Sequence, residues 1–565
     1  MNKSQSRRMW VVVMGLLVGT FLVILRMINF QIIKGPEWAA RSIDESLVIA
    51  QPVRGSIYDR NGAILAANSN DYQISVSPNM VVDSKNLSLA LMPILDKPQS
   101  EIIGALISDR PHELLAGRVS ADVADLVRDL QADYGGLQID PLPRRFYPQD
   151  ELLCHTLGYV DFNGDGGAGL EGLYQEELAG EAASATVFLS PLREQPAVAA
   201  REGSDLTLTI DRSVQRLVEQ ELSAALQEHH AESGTIIVMD PRTGAILAMA
   251  SEPCYNPYEF YDVAEPLLLN PAVSNQFEPG SVMKLITMAA ALDSGTVTPD
   301  STYYDAGVLE VGGHRTVNWD RSAPGTTDMT TLLARSLNVG AATLSTMMGA
   351  EPFNDYLRQF GFGSPTGIDL MSEAAGTMPL PGDELWTESF LATYAYGQSI
   401  ATTPLQMITA LSALANDGEI MQPYLVQEIH SANGDFVHEP TVMSKPISAQ
   451  TAHDVTNMAV TAVAREVSSA QIPGYTIAGK TGTAQIAENG VYLENDVIGT
   501  FVGWLPADAP EVIVYVKIDR PQINPWGSMT AAPTFANLAD DLVVLLGIPP
   551  DNVRLQADML AAREN

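Results

Sequence analysis

The chain has 565 residues, 46% of them hydrophobic, which is too long for one compact core and implies two or more domains. Against 32 Lys and Arg stand 68 Asp and Glu, a net charge of −36 that repels phosphate backbones and argues against nucleic-acid binding. Two cysteines, Cys154 and Cys254, cannot build a disulfide framework, and the 8 histidines show no metal-ligand spacing, so Cys154-His155 and His229-His230 read as structural and no metal is expected.

Met9 to Leu25 carries no charge and follows Lys3, Arg7 and Arg8. At ~1.5 Å per residue this run spans roughly 26 Å, slightly short of the hydrocarbon core of a bilayer. Continuation past Arg26 lengthens it to residues 9–33, with Arg26 snorkelling. The run ends in Arg-Met-Ile-Asn-Phe rather than a small-x-small cleavage site, which predicts a retained transmembrane anchor. Its basic flank keeps residues 1–8 as a cytoplasmic tail and places the rest outside the cytoplasm, a single-pass plasma-membrane protein.

Short alternating runs come next, and Asp-Arg-Asn-Gly at 59–62 reads as a turn between two strands. Residues from about 86 to 135 show helical periodicity. Pro, Gly and Asp loops with short helices complete a mixed module over 40–200, with LREQPAVAAREGSD as its joint to the C-terminal domain. From 201 to 548 the pattern changes. A strand and a long amphipathic helix precede a hairpin, GTIIVMDPRTGAILAMAS; three later strand-like runs, YTIAGKTGTAQ, GTFVGWLPA and EVIVYVKIDRP, precede a closing helix. Two strands early, three late and a helical block between them predict an α+β domain: a five-stranded antiparallel sheet flanked by helices and an all-helical lobe, with a ligand cleft at the seam. Residues 549–565 form a tail.

The helical block opens with FEPGSVMKLITMAAAL, in which one lysine, Lys284, interrupts apolar and small residues three positions after Ser281. Pro279-Gly280 marks a turn, so a helix starts near Ser281 and places both side chains on one face. The positive end of the helix dipole favours an alkoxide and a developing oxyanion. A lysine desolvated among Leu285, Ile286 and Met288 loses its proton more easily and becomes a base for the serine. The rival reading is a snorkelling lysine on a partly exposed helix, and Ser-x-x-Lys alone does not decide between them.

Two companions strengthen the catalytic reading. Lys480-Thr481-Gly482-Thr483 lies on a predicted strand, where the glycine permits close approach of a ligand backbone and the other three suit a carboxylate. Ser336-Leu337-Asn338 falls between the other two motifs in a helical setting, unlike the further Ser-x-Asn matches at 77, 84 and 431.

The order Ser-x-x-Lys, Ser-x-Asn, Lys-Thr-Gly resembles that of penicillin-binding proteins and serine β-lactamases. RGSIYDRNGAILA, RRFYP with LGYV, GLEGLYQEEL and YGQSIATTPLQMITALSALANDGEIMQPYLV are similar to the class B, monofunctional transpeptidases, and the resemblance reaches from the anchor to about residue 545. FEPGS looks more like the division-associated branch. Asn-Pro-Ala at 270–272 and Trp-Gly-Ser at 526–528 depart from the family's frequent Asn-Arg-Ala and Tyr-Gly-Gly.

The resemblance implies D,D-transpeptidation of peptidoglycan stem peptides ending in D-Ala-D-Ala, without metal or organic cofactor, and acylation by β-lactams. It casts Ser281 as nucleophile, Lys284 as base, Ser336 as proton relay and Asn338 as the group orienting Lys284. Lys480, Thr481 and Thr483 are to hold the substrate carboxylate, with backbone N–H groups of Ser281 and Thr483 as oxyanion hole. It also implies a pedestal role for 40–200, docking a SEDS-type glycosyltransferase and other divisome or elongation proteins. A β-lactamase and a non-catalytic scaffold are the alternatives. The long N-terminal module argues against the first, the intact motif triplet against the second. A Gly-x-Ser-x-Gly hydrolase is disfavoured because Gly280-Ser281 lacks that elbow.

Overall fold

The computed structural model describes residues 3–29, 32, 34, 45–50, 52–188, 200–488 and 491–564. The chain divides into two compact units, residues 1–53 with 180–203, and residues 54–179 with 204–565.

The first unit holds the helix Lys3–Ile28 and an antiparallel pair, Glu45–Ala50 with Ala183–Phe188. Met9–Ile28 has mean hydropathy 2.5 over 20 residues with none of its residues buried, so among the described residues one helix is long and apolar enough to cross a membrane. The end of the expected anchor (residues 30, 31 and 33) and most of the expected joint after residue 188 lie outside the described residues.

In the second unit a seven-stranded sheet runs through Phe436–Val437, Val426–His430, Asp205–Leu208, Ile57–Tyr58, Ile64–Val76 and Glu113–Val119, with Leu137–Phe146 also paired to Ile64–Val76. Ile57–Tyr58 pairs parallel to Asp205–Leu208, so this sheet crosses the edge expected near residue 200. The 59–62 turn forms as its sequence predicts: the Asp59 carboxylate accepts from the backbone N–H groups of Asn61 (2.9 Å) and Ala63 (2.7 Å), and Gly62 takes a φ of 81°. Helices Ser84–Leu95, Gln99–Leu106 and Ala121–Tyr134 bear out the periodicity there, with one correction. Glu113–Val119 is a strand, drawn from the helical pattern by pairing with Ile64–Val76.

Three of the quoted motifs meet at one buried carboxylate. Glu171 of GLEGLY, with no exposed surface, accepts from Arg54 Nε of RGSIYDRNG at 2.7 Å and from Arg145 Nε of RRFYP at 2.6 Å. The two guanidiniums also donate to the carbonyls of Glu171 (2.9 Å) and Gly55 (2.7 Å). Cys154 and Cys254 are joined in a disulfide, a single cross-link that the sequence reading did not foresee.

The sheet of the C-terminal domain follows the predicted plan. Its order is Ala478–Glu488, Val491–Leu505, Val512–Asp519, Ser233–Met239, Ile246–Glu252, antiparallel throughout. The continuous apolar runs arise because both faces are covered. Val512, Val514 and Val516 pack with the helices Arg212–His229 and Ala531–Leu545, while Ile513 and Tyr515 pack with the helical block. The strand carrying Lys480 is at the sheet edge. The helix Met283–Asp293 is buried on every side from Met283 to Ala291, which identifies its apolar run as a central helix. The expected C-terminal tail contains a helix, Asp551–Glu564.

Candidate active site

Ser281 lies in a tight turn, Gly280–Val282, that leads directly into the helix Met283–Asp293. The chain reaches it through Gly280 at φ 62°, where a Cβ would come within 3.2 Å of the Ala484 Cβ. The Ser281 turn therefore lies against the Lys480 strand, and the predicted geometry forms: Lys284 Nζ is 3.0 Å from Ser281 Oγ.

Ser336 and Asn338 reach the same amine. Ser336 follows the helix Met329–Ala334, and Asn338 begins the helix Asn338–Met348, so the motif is a joint between two helices. Ser336 takes a φ of 56°, a left-handed conformation costing a non-glycine residue roughly 1–2 kcal/mol. That turn points both its carbonyl (2.7 Å) and its Oγ (3.1 Å) at Lys284 Nζ. Asn338 Oδ1 accepts from Lys284 at 2.6 Å, while its Nδ2 donates to the Val317 carbonyl at 3.1 Å, which fixes the amide orientation. Lys480 Nζ approaches from the sheet side, 3.1 Å from Ser336 Oγ and 3.0 Å from the Thr481 carbonyl. Ser336 Oγ thus sits between the two lysines.

Both lysines are buried, Lys284 at 1% exposure and Lys480 at 3%. Burial, and after it the Lys480 ammonium, holds the Lys284 pKa well below the usual lysine value. Burial alone lowers Lys480 to about 8. The snorkelling alternative fails because the Lys284 side chain is buried. The partners found for Lys284 are uncharged oxygens, so no carboxylate offsets the desolvation.

Ser281, Ser336 and Asn338 line a cavity of about 460 Å³ that also takes in Thr481, Gly482, Thr483, Tyr396 and Gln398. Thr483 Oγ1 accepts from the Gly527 N–H at 3.0 Å and keeps its own hydrogen to donate. Gly482 differs in part from its sequence reading. A Cβ there would meet Thr500 Oγ1 at 2.3 Å and the Pro279 carbonyl at 3.2 Å, so the glycine admits protein neighbours. A Cβ on Gly527 would lie 2.2 Å from the Gly482 carbonyl, so this glycine of the divergent Trp-Gly-Ser is required by packing. Sequence reasoning missed the rim: Trp319 and Trp526 meet edge to face with centroids 5.6 Å apart, and the Trp319 indole N–H donates to the Arg335 carbonyl at 3.0 Å. Trp526 stood out only as a departure from the family pattern. Among the described residues no His, Cys, Asp and Glu cluster could hold a metal ion.

Comparison with known proteins agrees with this geometry. Residues 234–540 match the family described as the penicillin binding protein transpeptidase domain, and residues 49–208 match the penicillin-binding protein dimerisation domain. Stage V sporulation protein D of Bacillus subtilis is 31% identical over 97% of this chain and 86% of its own length. A probable peptidoglycan D,D-transpeptidase PbpC of Pseudomonas aeruginosa is 28% identical over 89% of this chain and 88% of its own. The crystal structure of penicillin binding protein 3 from Mycobacterium tuberculosis complexed with aztreonam superposes with a TM-score of 0.70 at 28% identity, covering 89% of this chain and 98% of that one. The chain belongs to the class B penicillin-binding proteins, serine D,D-transpeptidases of peptidoglycan.

Proposed function

We propose that Ser281 is the acylated nucleophile and Lys284 its general base, in the cross-linking of stem peptides that end in D-Ala-D-Ala. The observation that carries this reading is a buried amine, stripped of charged partners, 3.0 Å from Ser281 Oγ. Neutral Lys284 takes the Ser281 proton as Oγ attacks the penultimate D-Ala carbonyl. The backbone N–H groups of Ser281 and Thr483 receive the oxyanion, each contributing about 3 kcal/mol of transition-state stabilisation. As the tetrahedral intermediate collapses, the C–N bond to the terminal D-Ala breaks, and the proton passes from Lys284 through Ser336 Oγ to the departing amine. That route is supported by the placement of Ser336 Oγ, 3.1 Å from each lysine. Lys480, Thr481 and Thr483 hold the terminal carboxylate, Gly482 keeps the strand close to the nucleophile turn, and Asn338 orients Lys284. The substrate backbone adds to the edge strand Ala478–Glu488. The amine of a second stem peptide then attacks the acyl-enzyme, forming the cross-link and freeing Ser281.

β-Lactams acylate the same serine in this reading, which the aztreonam complex of the mycobacterial relative supports. The helix Lys3–Ile28 anchors the chain once through the plasma membrane with residues 1–8 inside. Residues 40–200 serve as a pedestal for 201–548 and dock a SEDS-type glycosyltransferase with divisome or elongation partners. The FEPGS wording supports a role at division; the likeness to a stage V sporulation protein supports a second reading, wall synthesis during sporulation. The test is the intact mass of the detergent-solubilised chain after β-lactam treatment. A stable adduct on wild type, absent from Ser281→Ala, is expected. No adduct would favour the scaffold, and rapid turnover without accumulation the β-lactamase. Depletion in the native host separates filamentation from a defect confined to spores.

A further inference from the structure

Glu278 lies three residues before Ser281 and takes no part in the mechanism above. It sits where two elements of the site converge. The segment leading to the nucleophile runs along residues 397–402: Phe277 and Thr402 exchange backbone hydrogen bonds at 2.9 Å each, and Gly280 N–H donates to the Gly397 carbonyl at 3.0 Å. Between these rungs the Glu278 carboxylate accepts from the Ser399 N–H at 2.8 Å. Ser399 is held in a left-handed conformation at φ 62°, so this bond steadies a strained joint. The same carboxylate accepts from the Tyr492 hydroxyl, 3.0 Å from both oxygens. Tyr492 belongs to Val491–Leu505, the strand paired with the one that carries Lys480. Burial raises the Glu278 pKa, a desolvation opposed by the bonds from Ser399 and Tyr492.

We propose that Glu278 is a positioning residue for Ser281, clamping the nucleophile segment to the 397–402 segment and, through Tyr492, to the hairpin of the Lys480 strand. The clamp holds the 277–281 backbone so that Ser281 Oγ stays in register with Lys284 and the sheet edge before substrate arrives. Its removal slows the chemical step and leaves initial binding in the cavity intact, because neither Glu278 nor Tyr492 lines that cavity.

This rests on Ser281 as nucleophile, and the test separates the two ideas. Full-length wild type and Glu278→Ala, Glu278→Gln and Tyr492→Phe are reacted with a fluorescent penicillin, and the acylation rate constant is resolved from the dissociation constant of the initial complex. Failure of wild type to label at Ser281 refutes the mechanism itself. Given labelling, the clamp predicts a loss of roughly 10- to 100-fold in the acylation rate constant for Glu278→Ala, with an unchanged dissociation constant. Glu278→Gln restores most of the rate because its amide oxygen still accepts from Ser399. Tyr492→Phe, a substitution at a half-exposed position that the fold tolerates, loses a few-fold in the same constant. Wild-type acylation in Glu278→Ala and Tyr492→Phe, a loss carried by the dissociation constant, or a Glu278→Gln variant no better than alanine overturns the proposal.

Discussion

Replacing Lys480 by methionine tests whether the two buried lysines govern each other's charge. Each nitrogen lies 3.1 Å from Ser336 Oγ. They are therefore at most ~6 Å apart, and two unit charges at that distance repel by about 0.7–3 kcal/mol for an effective dielectric between ~80 and ~20. Lys480, lowered to about 8 by burial, is charged at neutral pH, so it opposes protonation of Lys284. Methionine keeps the stem and removes the charge, and Lys284 then holds its proton to higher pH. Acylation needs the neutral amine, so the acid limb of its pH–rate profile moves up. On the acidic side the rate drops by roughly 3- to 100-fold from this cause alone. The basic limb near pH 8, where wild-type Lys480 loses its charge, disappears. Lost carboxylate binding by itself would lower the rate by one constant factor below that limb. The ratio of wild type to variant, measured with a fluorescent penicillin from about pH 5 to 10, therefore falls as pH rises through the acid limb. A superimposable acid limb in the two proteins would refute the coupling. Lys480→Arg, which stays charged, keeps the acid limb in place and loses only the basic one.

Lys284→Met removes the base but retains the buried stem, so acylation by intact mass falls roughly 10²–10⁴-fold while the melting temperature does not drop. Asn338→Asp puts a carboxylate where Oδ1 now lies 2.6 Å from Lys284 Nζ; the ion pair keeps the amine protonated, and acylation at neutral pH falls at least tenfold (~1.4 kcal/mol) while recovering in alkali. Stability carries its own pH signature. Folded Lys480 binds its proton at about 8 and the unfolded chain at the ordinary 10.5, so the unfolded state holds the extra proton between those values. Stability of wild type relative to Lys480→Met thus rises with pH across that window, and thermal melts showing a flat difference would contradict it. Glu171→Ala leaves the Arg54 and Arg145 guanidiniums buried without a counter-charge, so denaturant titration should show a loss of about 3–5 kcal/mol.

The catalytic sheet and the meeting of Ser281, Lys284, Ser336, Asn338 and Lys480 were legible because each rests on a local signal: short continuous apolar runs, a Pro-Gly turn, and polar residues inside otherwise buried segments. What escaped was long-range. Glu278 reads as one more acidic residue among 68 Asp and Glu until Ser399 and Tyr492, distant in sequence, fold onto it. Arg54, Arg145 and Glu171 lay inside three quoted motifs, yet nothing in their spacing says that they share one carboxylate. Trp319 and Trp526 are separated by the whole helical lobe. The strand Glu113–Val119 was hidden because its pairing partner, rather than its own pattern, makes it a strand.

The contrast between the two buried charge sites shows how one fold reaches opposite ends. Glu171 is completed by two guanidiniums, and the paired charges tie together the three segments that carry them. Lys284 has four oxygen neighbours within 3.1 Å, and each is neutral. Hydrogen bonds to such oxygens orient the amine without compensating a full positive charge, and the neighbouring Lys480 adds repulsion. The same packing that makes Met283 to Ala291 the central helix therefore makes Lys284 basic enough to accept a proton and too poorly solvated to keep one. In the proposed mechanism the amine is activated by water exclusion, and an assisting carboxylate there would weaken the base. Any change that admits water to the base of the helix should therefore slow acylation even when the distance between Ser281 and Lys284 is preserved.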